Sequence, residues 1–196
     1  MSKASRTRQF IIDKTAPVFN IRGYAGTSLL DLTNATGLSK GSLYGNFGNK
    51  EEIAEAVFQY SMEKVRATAR VKLEKAALFK DKLIGLLDFY AQYVFSSPIP
   101  GGCPLMNNAV EADDHHLFMK KTVSLEMKKT IDSIAALLEQ GRNGGEFKSD
   151  IKPRELAFIF FCSVEGAIVI SRVSSSDTAM KIVVSHCKNI LEQISV

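Results

Sequence analysis

The chain has 196 residues, of which 45% are hydrophobic and 23% charged, with a formal net charge of +4. This is the composition of an ordinary globular protein and argues against a generally disordered or fibrous chain; the length suits one good core, or a small domain joined to a larger one. Cys103, Cys162 and Cys187 are odd in number, far apart and without CxxC spacing, so neither a disulfide framework nor a zinc finger is indicated.

The charge is unevenly spread. Between Met1 and Lys50 stand seven bases (Lys3, Arg6, Arg8, Lys14, Arg22, Lys40, Lys50) and two acids (Asp13, Asp31), a net +5 that leaves −1 for the remainder. A basic quarter on a near-neutral body suits a nucleic-acid-binding head, although a solvated basic face gives the same count. The longest apolar run, Leu156 to Ile170, contains Glu165 and is shorter than the roughly 20 residues that cross a bilayer, so no membrane span is expected. The polar, basic N-terminus lacks the apolar stretch and cleavage site of a signal peptide, so a cytoplasmic protein with reduced thiols is expected.

Helical punctuation runs through the chain, and convincing strand alternation does not. A first helix is expected from about Ser5 to Arg22, with Pro17 kinking its last turns and Gly23 as its stop. Lys3, Arg6 and Arg8, around its start, are read as either a DNA-binding arm or a solvated tail. A short helix follows from about Ser28 to Thr36, with Thr27 expected as N-cap. Ser39 can cap a second short helix through Phe47, and two short helices about a glycine turn make a helix-turn-helix. Asn49 and Glu52 form a capping box for a long connector helix reaching about Leu73. Further helices are expected at about Lys80–Phe95, Pro104–Asp113, His115–Gln140, Pro153–Val173 and Asp177–Ile194, with a breaker-rich loop from Ser96 to Gly102.

The residues Phe19, Gly23-Tyr24, Thr27-Ser28, Leu32, Thr36-Gly37-Leu38-Ser39-Lys40-Gly41-Ser42-Leu43-Tyr44, Phe47 and Asn49-Lys50-Glu51 resemble the DNA-binding domain of the TetR family of transcriptional regulators. Gly102-Cys103-Pro104-Leu105 and Glu165-Gly166-Ala167 are similar to family members more loosely. The resemblance implies an all-α fold of about nine helices: a three-helix DNA-binding domain with the helix-turn-helix, assigned to residues 1–50, and a larger helical ligand-binding and dimerisation domain, assigned to 51–196. It also implies a homodimer and repression relieved by a ligand. Many members have an aromatic residue where this chain has Gly45 and often histidine where it has Asn46, so base contacts do not carry over through those positions.

At 100° per residue, Leu43 and Phe47 face inward on the second short helix, while Gly41 and Gly45 lie nearly opposite, flanked by Ser42 and Tyr44. Glycine within a helix costs roughly 1 kcal/mol against alanine. Two readings of the pair are open: close backbone approach to DNA, or a turn-like, irregular helix. Thr27, Tyr44 and Lys50 are assigned to phosphates, and Lys40 and Ser42 to base edges, within a DNA-binding set completed by Ser39, Gly41, Gly45 and Asn46. One short helix reads few base pairs, so double-stranded DNA with a palindromic operator and a two-fold dimer are expected. Its interface is expected on the last two helices, from Phe158, Val164, Ala167 and Ile168, with Gly166 allowing close approach.

For a small-molecule effector the candidates are Phe89, Tyr93, Cys103, Met106, Asn107, Glu111, Phe118, Phe161 and Glu165, apolar walls with a few polar groups; Asn108 is a further polar pointer. Such stripes are also what core packing looks like. Cys103 at a helix start is either a buried structural cysteine or a reactive thiolate, which leaves a thiol-based electrophile- or oxidant-sensing repressor as an alternative. Asp113-Asp114-His115-His116 lacks metal-ligand spacing and reads as a cap and first helical turn; no metal or cofactor is expected. No nucleophile, phosphate loop or metal constellation supports an enzyme, a small thiol-dependent one included. An architectural DNA-binding protein without an inducer is a third reading.

Overall fold

The computed structural model describes residues 2–114 and 116–196; of Asp114 only the backbone is described. Among the described residues there are nine helices and no strand: α1 (Lys3–Arg22), α2 (Leu29–Thr36), α3 (Lys40–Asn46), α4 (Lys50–Leu73), α5 (Phe79–Tyr93), α6 (Pro104–Asp114), α7 (Leu117–Asn143), α8 (Pro153–Val173) and α9 (Thr178–Ile194). An isolated bridge joins Phe147 and Ser195. His115, expected to open the seventh helix and to sit in the Asp/His run, lies outside the described residues.

Local chemistry explains the helix ends. Ser2 caps α1, which continues unbroken through Pro17 and stops at Gly23, whose φ of 71° suits a residue without a Cβ. The cap of α2 is Ser28 and not Thr27: Ser28 Oγ accepts from Asp31 N, and the Asp31 carboxylate accepts from Ser28 N, closing a capping box. Thr27 is buried instead, with its hydroxyl donating to Gly23 O at 2.6 Å. Asn49 Oδ1 accepts from Glu52 N at 2.8 Å, as expected, but the Glu52 carboxylate turns to Gly48 N. Glu146 does for α5 what no residue beside that helix does, accepting from Phe79 N and Lys80 N.

The chain forms two compact units, Met1–Val65 with Pro98–Leu125, and Arg66–Ser97 with Glu126–Val196. In the first, Ile11, Phe19, Leu32, Leu43, Phe47, Ile53 and Val57 make one apolar core, joined by Ile99 from the loop before α6. Each such side chain contributes about 1.5–3 kcal/mol when removed from water.

In the second unit α8 and α9 pack together and α5 packs on α9. Gly141 is required within α7 because a Cβ there would collide with the Phe147 ring. The α8 helix is apolar on both sides, and its length and composition alone would let it cross a bilayer. Here one side is core. Val164, Ala167 and Ile168, expected at an outer interface, are buried inside the protomer because they lie on that side. The other side leaves Phe158, Ile159, Val169, Ile170 and Val173 exposed, with Ile182 of α9.

Candidate nucleic-acid interface

The α3 helix stands on two anchors, Leu43 and Phe47, both buried in the first unit's core as its periodicity requires. Ser39 Oγ accepts from Ser42 N at 3.2 Å and caps it. The opposite side is small and polar: Ser39, Lys40, Gly41 and Gly45 are exposed, and Ser42, Tyr44 and Asn46 half-buried. Asn46 folds back, with Nδ2 donating to Ser42 O at 2.9 Å. Neither glycine has a positive φ. A Cβ at Gly45 would meet nothing within 4 Å, and one at Gly41 only Ser39 Oγ at 3.9 Å. Packing within the protein therefore gives no reason for either glycine.

Cations flank this helix. Lys50 Nζ sits 4.1 Å from the Tyr24 ring centroid, where burial lowers its pKa and the charges of Glu111 and Asp31 oppose that shift. Lys40 Nζ lies 6.0 Å from the Tyr44 ring. Arg8 is no arm: its guanidinium lies 3.9 Å over the Phe47 ring and donates to Asn46 O and the Glu52 carboxylate, which clamps the end of α3 to α1. Lys3 and Arg6 are exposed on the first turns of α1. Thr27, buried, supports the turn before α2 and does not stand at the surface.

The same unit contains a second construction that sequence reasoning missed. Asn20 Nδ2 donates to Pro100 O and Gly102 O, and Asn107 Nδ2 donates to Asn20 O, Asn20 Oδ1 and Gly101 O, all between 2.9 and 3.1 Å. One turn of α6 further on, the Glu111 carboxylate accepts from Tyr24 N and Ala25 N. Tyr24 also meets His116 and Phe118 edge to face, with centroids 4.5 and 5.0 Å apart. Thus Asn107, Glu111 and Phe118, marked in the sequence as effector contacts, hold α6 and the start of α7 against the turn that leads into the helix-turn-helix. Asn108 donates within α6 to Pro104 O. Cys103 is buried and Met106 half-buried in this unit.

The remaining effector candidates belong to the second unit. A narrow cleft, whose empty space of about 390 Å³ includes open solvent, lies among α5, α7 and α8, lined by Leu83, Leu86, Leu87, Tyr90, Thr130, Ile134, Phe160, Phe161, Val164 and Glu165. It brings Phe161 and Glu165 together. Phe89 and Tyr93 are buried beside Tyr90 in an aromatic cluster, with centroids 5.0 to 5.7 Å apart, and do not line it.

Comparison with known proteins places this architecture. Residues 11–57 match the family model "Bacterial regulatory proteins, tetR family", and residues 80–187 match "Tetracyclin repressor-like, C-terminal domain". The chain is similar to a TetR-family transcriptional regulator from Cytophaga hutchinsonii, with 38% identity, 100% of this chain and 98% of that chain covered, and a TM-score of 0.94. It is 26% identical to the HTH-type transcriptional repressor DhaR of Mycobacterium sp. over 83% of this chain and 80% of DhaR. The fold is shared with a cysteine-substituted CifR solved on a 26-base-pair operator duplex, at 22% identity, coverage of 92% and 94%, and a TM-score of 0.83. With one family model spanning more than half of the sequence and a solved relative matching it end to end, the chain belongs to the TetR family of helix-turn-helix transcriptional regulators.

Proposed function

We propose that this regulator is a ligand-responsive repressor that binds palindromic operator DNA as a homodimer in the cytoplasm and is released by a small molecule. The observation that carries the DNA reading is the outward side of α3: Lys40 beside two glycines whose missing Cβ atoms would meet open space or a single ordinary contact. A bare backbone on a capped helix admits a phosphate-sugar chain or base edge closely, and Lys40 and Ser42 are the candidates for base edges. Tyr44 and Lys50 flank the helix as phosphate contacts, with backbone N–H groups at helix N-termini assisting. Operator binding by the fold neighbour CifR agrees with this use of the fold.

Dimerisation is supported by the second apolar side of α8. A helix with a second apolar side has that side to bury, and a two-fold partner laid on Phe158, Ile170 and Val173, with Ile182 of α9, would cover it. A ligand in the second unit would release DNA by favouring a dimer whose two α3 helices no longer match successive grooves, and only in proportion to its preference for that conformer. The α4 helix, running continuously from one unit into the other, is the element assigned to carry that change.

The test is selection of bound sequences from random duplexes, followed by gel shift at moderate salt with the wild type and Lys40→Ala. A two-fold symmetric site bound by a dimer, and weakened at least ten-fold by the substitution, is expected. A monomer without sequence preference would overturn the reading.

A further inference from the structure

We propose that Arg8 is a positioning residue for sequence recognition: from α1 it fixes the C-terminal end of α3, so that the outward backbone of that helix meets base edges at one set position. The proposal rests on the reading of α3 as the element that lies against DNA, and it names what holds that element in place.

The α3 helix has little of its own to keep it regular. It is seven residues long, too short to be stable alone, and carries Gly41 and Gly45, whose residue type favours helix least after proline. Ser39 Oγ caps its N-terminus. At the other end the backbone turns extended at Phe47, so the carbonyl of Asn46 has no following helical turn to bond it. Arg8 supplies a donor. Its Nη1 donates to Asn46 O, its Nη2 donates to Glu52 Oε1 at 2.8 Å, and its guanidinium carbon lies 3.9 Å from the ring centroid of Phe47, one of the two buried anchors of α3. The cation also opposes the negative end of the helix dipole. Hydrogen bonds from Gly48 N and then from Arg8 lower the Glu52 pKa below its ordinary 4.5, which keeps the partner of Arg8 ionised. A carbonyl, a carboxylate and a ring face thus meet one planar fork, and lysine has no such fork to offer them.

Base edges and phosphates make different demands on the helix. Hydrogen bonds to bases depend on its placement to within a fraction of an ångström, whereas long, flexible cations follow the phosphates through small displacements. A loosened α3 therefore loses discrimination between sequences before it loses attraction to DNA. Loss of folded protein lowers binding to every duplex alike, so the ratio of two affinities isolates positioning from stability.

Fluorescence anisotropy of the full-length protein on its selected duplex and on a scrambled duplex of equal length measures that ratio for the wild type and for Arg8→Lys, which keeps the charge. The substitution is expected to lower the ratio by about ten-fold or more and to change affinity for the scrambled duplex by less than about three-fold. Amide hydrogen exchange is expected to quicken by about ten-fold or more across α3 and by less than about three-fold at Ile11 and Phe19 of α1. A wild-type ratio in Arg8→Lys, an equal fall on both duplexes, or unaltered exchange in α3 overturns the proposal. Should Arg8→Lys not fold, Glu52→Gln decides by the same ratio: it leaves Arg8 in place, removes the charge that turns it, and is expected to lower discrimination by about three-fold or more. A wild type that discriminates no better than Arg8→Lys, with both preferring the selected duplex, defeats only this inference. A wild type that binds both duplexes alike defeats the repressor reading and this inference with it.

Discussion

The carboxylate of Glu111 accepts the backbone N–H of Tyr24 at 2.6 Å and of Ala25 at 3.1 Å, while Gly23, one residue earlier, lies so near that a Cβ would come within 2.6 Å of the carboxylate. One side chain of α6 thus closes the turn between α1 and α2, and the glycine makes room for it. Hydrogen bonds to a charged group contribute about 1.5–3 kcal/mol each, and the Ala25 N–H stands at the surface where water can replace its partner, so Glu111→Ala is expected to lower stability by about 2–3 kcal/mol in urea denaturation. Gly23→Ala meets both the positive φ and the carboxylate and should cost at least about 1 kcal/mol. Because removing the carboxylate removes the collision, the double variant should lose less than the two single losses together. Full additivity would show that the two residues do not share a site.

The glycines of α3 give a prediction in which stability and function move in opposite directions. With no atom within 4 Å of its absent Cβ, Gly45→Ala should stabilise the protein by up to about 1 kcal/mol through helix propensity. Operator affinity should nevertheless fall at least ten-fold, because the added methyl projects toward DNA. Thermal melting and gel shift read the two effects separately. A stabilised variant with unchanged affinity removes the close-approach role.

On the outer side of α8, Ile170 and Val173 are 58% and 85% exposed in the protomer. Ile170→Glu and Val173→Glu together should leave the helical circular dichroism unchanged, since neither residue is in the core. Sedimentation velocity should report a shift from dimer to monomer, because unpaired charge is not tolerated at the centre of an apolar interface. A dimer surviving both changes would place the interface elsewhere.

Acid should weaken the second unit through Glu126. Burial pushes this carboxyl up, but hydrogen bonds and charge from Lys129 and Arg66 outweigh it, and the pKa is lowered from its ordinary 4.5. A lowered folded-state pKa contributes stability above the ordinary value and loses it as pH falls through the folded value. Glu126→Gln should therefore be less stable at neutral pH by about 1–2 kcal/mol, its exposed partners being free to rehydrate. The gap from wild type should narrow below about pH 4.5 in thermal melts. A gap independent of pH would exclude the carboxylate as its source.

Much of the scaffold was legible in the sequence because its signals are local. Pro153 at a first helical position, the Ser39 cap and the inward pair Leu43 and Phe47 all stand where periodicity and capping place them. The choice of Thr27 as a cap failed although the deciding signal was present: Asp31, three residues after Ser28, completes a box that Thr27 cannot. Other features depended on partners far along the chain. Arg8 looks like part of a free basic tail until Phe47 and Glu52 arrive beside it, and Asn107 and Glu111 look like ligand contacts until Asn20 and Tyr24 do. For α8 the sequence offers two apolar sides, and the packing of α5, α7 and α9, all distant or later in the chain, settles which becomes core.

Ile99 in the first unit's core has a further consequence for how such proteins can be recombined. The groups that complete the DNA-reading head come from two separated stretches of chain, the second bringing Ile99, the carbonyls gripped by Asn20, and Glu111. A chimera cut at the start of α4 and fused to a foreign body would carry a hole in its interior and an unclosed turn beside α2. Swapping operator preference between relatives by graft therefore requires α6 to travel with the head, or the exchange to be confined to the outward residues of α3.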